Sequence, residues 1–141
     1  MRRTRTALAA VVGIGLLVGL AGCTNPQALE SLQRVNDERA ANGLPLLQQD
    51  DALAAKAQAW AEQLAATRSV RHSVLTNGLP PTWRFAAENV GSASSVAEMH
   101  SLLMGSPGHR ANILDGRPNR VGTGAAFADG RVYVVQVFAA L

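Results

Sequence analysis

Among 141 residues the chain has one cysteine, one lysine and only 4% aromatic residues. A single cysteine excludes a disulfide-stapled miniprotein and a thiolate zinc cluster, since both need several. Charged residues are sparse at 16% and hydrophobic ones reach 48%, which excludes an intrinsically disordered chain. Acidic residues are missing before Glu30, whereas Arg2, Arg3 and Arg5 stand at the very start. Taking those three from the 13 basic residues leaves 10 against 10 acidic, so the net charge of +3 belongs to the leader. The rest of the chain is neutral. A neutral domain offers no electrostatic footprint to a phosphate backbone, and a nucleic-acid partner is therefore not expected.

The leader has the three parts of an export signal: Arg2-Arg3-Thr4-Arg5, an apolar stretch from Ala7 to Leu20, then small residues. Ala7 to Cys23 is 17 residues with four glycines, short of the ~20 that cross a bilayer as a helix. The segment closes in Leu20-Ala21-Gly22-Cys23, which resembles the lipobox of bacterial lipoproteins. That resemblance implies cleavage before Cys23 and acylation of Cys23. Two or three acyl chains at ~0.8 kcal/mol per buried methylene hold a protein at a membrane where one does not. The organisation expected is a signal peptide at 1–22, an acylated tether at 23–27 and one domain at 28–141, exported and membrane-anchored on the extracytoplasmic face.

Within the domain, Leu29, Leu32, Val35, Asn36 and Arg39 follow helical spacing, and Asn42-Gly43 supplies a stop, giving a helix over about Ala28 to Asn42. Asp50 or Asp51 can cap a second helix with Leu53, Ala57, Trp60, Ala61 and Leu64 on one face. From Arg68 to Gly91 the pattern is that of a loop, with a short strand over Phe85 to Val90. Ser94 or Ser95 opens a third helix ending near Met104, with Val96, Met99, Leu102 and Leu103 inward and His100 on the exposed or boundary face. Ser106-Pro107 reads as a cap and first position of a short helix through Ile113 or Leu114. Val121 to Ala128 and Arg131 to Ala139 read as strands joined by Asp129-Gly130, a two-residue hairpin signal. Val132, Val134, Gln136 and Phe138 face one way, Tyr133, Val135 and Val137 the other. Both faces are apolar, so helices should cover both sides of the sheet. Gly122 and Gly124 mark close backbone approach at a strand.

Few residues can do chemistry at neutral pH. His72 lies in the loop-like Arg71-His72-Ser73. His109 falls in the first turn of the short helix, where unpaired backbone N–H groups disfavour imidazole protonation. Glu88 sits in an apolar run, so it is either exposed in a loop or buried with a partner, because burial unpaired costs several kcal/mol.

Asn36-Asp37-Glu38-Arg39, Gly43-Leu44-Pro45-Leu46, His72-Ser73, Glu88-Asn89, Ser106-Pro107-Gly108-His109-Arg110, Asn112-Ile113-Leu114, Gly122-Thr123-Gly124 and Tyr133 to Phe138 occur in that order. Together they resemble the bacterial branch of the CAP superfamily, the SCP-like extracellular domain. The resemblance implies an α+β fold, a three-layer α/β/α sandwich around a central antiparallel sheet. It also implies a cleft in which His72 and His109 are the metal-binding histidines, Glu88 is the acid and Asn89 is a further polar residue. The second acid of larger members falls at Ser106, which has no carboxylate. Leu103 replaces a frequent tryptophan, and Ala87 a glycine.

Two readings of function arise. One is an extracellular binding module, tethered at Cys23, whose cleft takes a lipid, an envelope component or a host ligand. The alternative is a divalent-metal-dependent hydrolase, in which an ion on His72 and His109 polarises water and Glu88 accepts its proton. Glu88 as a direct ligand would complete a two-histidine, one-carboxylate set. Glu88 as acceptor for an imidazole N–H would leave two ligands and a weakly bound ion such as zinc. The thin inventory of acids favours the module.

Overall fold

The computed structural model describes residues 25–141, and the leader with Cys23 lies outside the described residues. Asn25 starts the first helix: its side chain accepts from the amides of Gln27 and Ala28, and Pro26 takes a position where no N–H is needed. The helix, α1 (Pro26–Ala41), buries Ala28, Ser31, Val35 and Arg39 along one stripe. A two-residue strand, β1 (Gln48–Gln49), leads to Asp50, whose carboxylate accepts from the Leu53 amide and caps α2 (Asp51–Thr67). The expected face of α2 is the buried one: Leu53, Ala57, Ala61 and Leu64, with Trp60 at its margin.

Strand β2 (Phe85–Ala93) runs three residues past the expected Val90. Gly91-Ser92-Ala93 has little strand propensity of its own, and pairing with the last strand carries it on, with Ala93 opposite Val132. Ser95 caps α3 (Val96–Gly105) by accepting from the Glu98 amide. This helix is rotated from the expected setting, since His100 is buried and Leu102 is exposed. Positions 96, 99, 100 and 103 form one helical stripe, whereas 102 lies two residues, about 200°, away from 100. Geometry overrides hydrophobicity there. Helix α4 (Pro107–Ile113) begins after Ser106, which stands at the cap position without a side-chain capping hydrogen bond.

Strands β3 (Arg120–Ala128) and β4 (Arg131–Ala140) meet at Asp129-Gly130, where both residues have positive φ, 51° and 73°, as a type I′ turn requires. The sheet order is β1-β3-β4-β2. The three long strands are antiparallel, and β1 adds a short parallel pairing, Gln48 opposite Arg120, where the sequence suggested only a link. Val132, Val134 and Phe138 pack beneath α1, α3 and α4, while Tyr133, Val135 and Val137 pack against α2. The result is helix, sheet, helix in three layers. Among the described residues, no helix is long and apolar enough to cross a membrane.

Candidate functional site

β2 is an edge strand, and successive residues on it point to opposite faces. Glu88 turns toward the α2 side and is only 6% exposed. Both oxygens of its carboxylate are engaged. Oε1 accepts from the Ser73 amide at 2.9 Å and lies 2.8 Å from His72 Nδ1, and Oε2 accepts from Ser73 Oγ at 2.5 Å. Those partners offset the cost of burying the group. Because a carboxylate only accepts, Nδ1 is the donor, which fixes the tautomer of the neutral ring and leaves Nε2 as the other nitrogen of a side chain that is 61% exposed.

The loop carrying His72 and Ser73 is held on both flanks by α2. Trp60 Nε1 donates to the Arg71 carbonyl at 2.9 Å, and Lys56 Nζ, one turn earlier, donates to the Val74 carbonyl at 3.0 Å. The Arg71 guanidinium also sits 5.1 Å from the Trp60 ring centre. Burial holds the Lys56 amine below its ordinary value, with the Glu88 charge pulling the other way. Lys56 and Ser73 therefore belong to the site, although neither has a role in the sequence analysis. The signal was there: 56 and 60 are helical neighbours, and each reaches a polar group of the loop.

Asn89 turns to the opposite face and is wholly buried, so it supports the site from below instead of lining it. Its amide donates to the His109 carbonyl and to Gln136 Oε1, both at 3.1 Å, and Gln136 donates to Ser31 Oγ at 3.1 Å. Asn112, one turn after His109, donates to Asn89 Oδ1 at 2.9 Å and reaches the Glu88 carbonyl at 3.4 Å. A buried polar ladder thus runs from α1 through β4 and β2 to α4. Gln136 is the residue that betrays it, a polar side chain inside an otherwise apolar strand. At the far end of α4, the buried guanidinium of Arg39 donates to the carbonyls of Ile113 at 3.0 Å, Asp115 at 2.7 Å and Pro45 at 2.9 Å. Held at both ends, α4 carries the half-buried His109 within electrostatic range of His72. Burial, and then the proximity of His72, keep His109 below the usual imidazole value, so it is the neutral ring that is favoured.

Among the described residues, no three His, Cys, Asp or Glu side chains are grouped to hold a metal ion. Glu88 spends both oxygens on Ser73 and His72, which leaves two imidazoles, one short of the usual three protein ligands of a catalytic zinc. The set does not fit a resident zinc.

A family model described as "CAP: Cysteine-rich secretory protein family" matches residues 32–138. The chain belongs to the CAP family. The CAP fold is also seen in solved structures similar to this one. An outer surface protein from Borrelia burgdorferi superposes with a TM-score of 0.71 at 18% identity, over 82% of this chain and 93% of that one. An extracellular protein containing an SCP domain from Bacillus anthracis gives 0.70 at 22% identity, over 83% of this chain and 41% of that one. A cysteine-rich secretory protein from Staphylococcus aureus gives 0.67 at 26% identity, over 85% and 41% respectively. The CAP domain here thus spans about two fifths of the last two proteins. No curated protein matches the chain. Despite the family's description, this CAP member has one cysteine, so the polar ladder and the packed layers hold the fold without disulfides.

Proposed function

We propose that the protein is an exported, lipid-tethered binding module that takes its ligand at the open edge formed by His72 and His109. The contacts of Glu88 carry this reading: Ser73 and His72 engage both of its oxygens, which suits a group that orients His72. The exposed part of the arrangement is His72, whose neutral form has its lone pair on Nε2, with the half-buried His109 ring in electrostatic range and disposed to be neutral. Such a pair accepts hydrogen bonds from a ligand's hydroxyl or amine groups, and lipids or envelope components carrying those groups are the candidates. Two imidazoles hold a divalent ion only weakly and exchangeably. The lipobox at Leu20 to Cys23 supports the tether, and the extracellular and outer-surface relatives support the location.

The test uses the purified lipoprotein, its mass, the small molecules it retains, and the variants His72→Ala, His109→Ala and Glu88→Gln. The acylated mass disappears in Cys23→Ser, retained molecules are lost in both histidine variants, and Glu88→Gln weakens retention several-fold with no hydrolytic rate in any form. A hydrolytic rate that vanishes in Glu88→Gln while retention persists would replace the module with the hydrolase. Unchanged retention in the double histidine variant would remove the site.

A further inference from the structure

We infer that the end of the domain carrying the Asp129-Gly130 hairpin rests on the bilayer surface, with Phe127 and Leu29 set among the lipids. This orientation rests on the lipid-anchor reading of Cys23 and goes beyond it. Cys23 and Asn25 are two residues apart, and at ~3.8 Å per Cα step Asn25 stays within about 8 Å of the acylated residue. Asn25 is fixed to the domain: its Nδ2 donates to the Ala125 carbonyl at 2.6 Å and to Gln58 Oε1 at 3.2 Å. The Ala28 carbonyl accepts from Thr123 Oγ1 at 2.7 Å. The chain therefore enters against the hairpin half of β3, two residues before Phe127.

Side chains alternate along β3. Gly122 and Gly124 face α2, so Thr123, Ala125 and Phe127 face the layer that α1 occupies. Phe127 lies beyond the start of α1 and is 57% exposed, and Leu29, in the first turn of α1, is 51% exposed. Isolated exposed apolar side chains are ordinary, and Leu46 and Trp83 are exposed as well. Those two lie at the opposite end of the sheet, where Gln48 pairs with Arg120 and the Arg84 amide donates to the Ala140 carbonyl. Arg120 and Phe127 are seven residues apart along β3, ~23 Å at ~3.3 Å per residue. What distinguishes Phe127 and Leu29 is their place beside the anchored end of the chain.

Arg68 pairs with Asp129 and Arg34 with Glu30, and the two nearby charges outside salt bridges, Arg131 after the turn and Glu62 beside Phe127, are of opposite sign, so no net charge opposes approach to a lipid headgroup layer. The contact is apolar and insensitive to salt. It also sets the height of the ligand site. Glu88 pairs with Val137, and Val137 with Gly122, five residues from Phe127, so the site stands ~17 Å above the docked end at the same rise per residue.

Cys23 is the only cysteine and is taken up by the lipid, so one introduced cysteine labels uniquely. The full acylated protein bearing Phe127→Cys, Leu29→Cys or, as the distal control, Leu46→Cys is labelled with an environment-sensitive fluorophore. Each form is reconstituted into phosphatidylethanolamine–phosphatidylglycerol vesicles containing a doxyl-labelled lipid quencher. Labels at 127 and 29 are quenched several-fold more than the label at 46, and raising the salt to about 0.5 M leaves this unchanged. Flotation with the vesicles is read in parallel. Flotation with equal quenching at all three positions overturns the docked end and leaves the anchor standing. Failure to float overturns the anchor and the orientation with it.

Discussion

His100 shows at single-residue scale how burial and titration are linked. Its Nε2 lies 3.6 Å from Glu38 Oε1, beyond hydrogen-bond length, and its buried Nδ1 has no protein partner among the described residues. Burial lowers its proton affinity below the ordinary 6.5, against the pull of Glu38 and Asp37 and with the repulsion of Arg34, all on α1. His109 is shifted the same way. A histidine lowered on folding binds its proton more readily in the unfolded chain. Stability is therefore intact above the unfolded value and falls as pH drops through 6.5 toward the folded one. We expect His100→Leu to leave stability at pH 7.5 within about 1 kcal/mol of the parent, because an unpaired buried nitrogen is exchanged for an apolar group. It should also make the decline between pH 7 and 5 shallower, by at most about 1.4 kcal/mol per pH unit for one proton. Urea unfolding across that range checks both, and an unaltered slope would show that His100 does not contribute. The inward turn of His100 was hidden in the sequence because Leu102 is the more apolar residue. The stripe through 96, 99 and 103 nevertheless pointed at 100.

At the scale of elements, α2 lies so close to β3 that two positions have no room for a side chain. A Cβ on Gly122 would fall 2.0 Å from the backbone carbon of Leu53, and one on Gly124 would fall 2.3 Å from that of Ala57. Neither clash involves a movable side-chain end. Gly124→Ala is expected to destabilise the domain by about 3 kcal/mol through forced separation of helix and strand, seen as a lower urea midpoint at unchanged slope. A loss under about 0.5 kcal/mol would mean that the layers are looser than described. The glycines, the alanines of α2 and the Asp129-Gly130 turn made this contact legible in advance, because each is a local feature with one main structural use. The continuation of β2 to Ala93 and the parallel pairing of β1 were not, since both depend on a partner strand distant in sequence.

Across the whole molecule, the ordered motifs announced the CAP fold, and three of its polar residues were visible as His72, Glu88 and His109. What the sequence could not show is the division of labour among them. Ser73 and His72 engage both oxygens of Glu88, Lys56 and Trp60 clamp the loop, and Asn89, Asn112 and Arg39 set α4, each through a contact between residues far apart in the chain. The proposed binding role rests on the hold of Glu88 on His72. The ring nitrogens of His72 in the 15N-labelled protein test it most directly. His72 should show a proton on Nδ1 and a lone pair on Nε2 at pH 8, and Glu88→Gln should abolish that preference. A His72 ring that carries its proton on Nε2 and ignores the Glu88 substitution would contradict the arrangement, and with it the assignment of Glu88 as an orienting group.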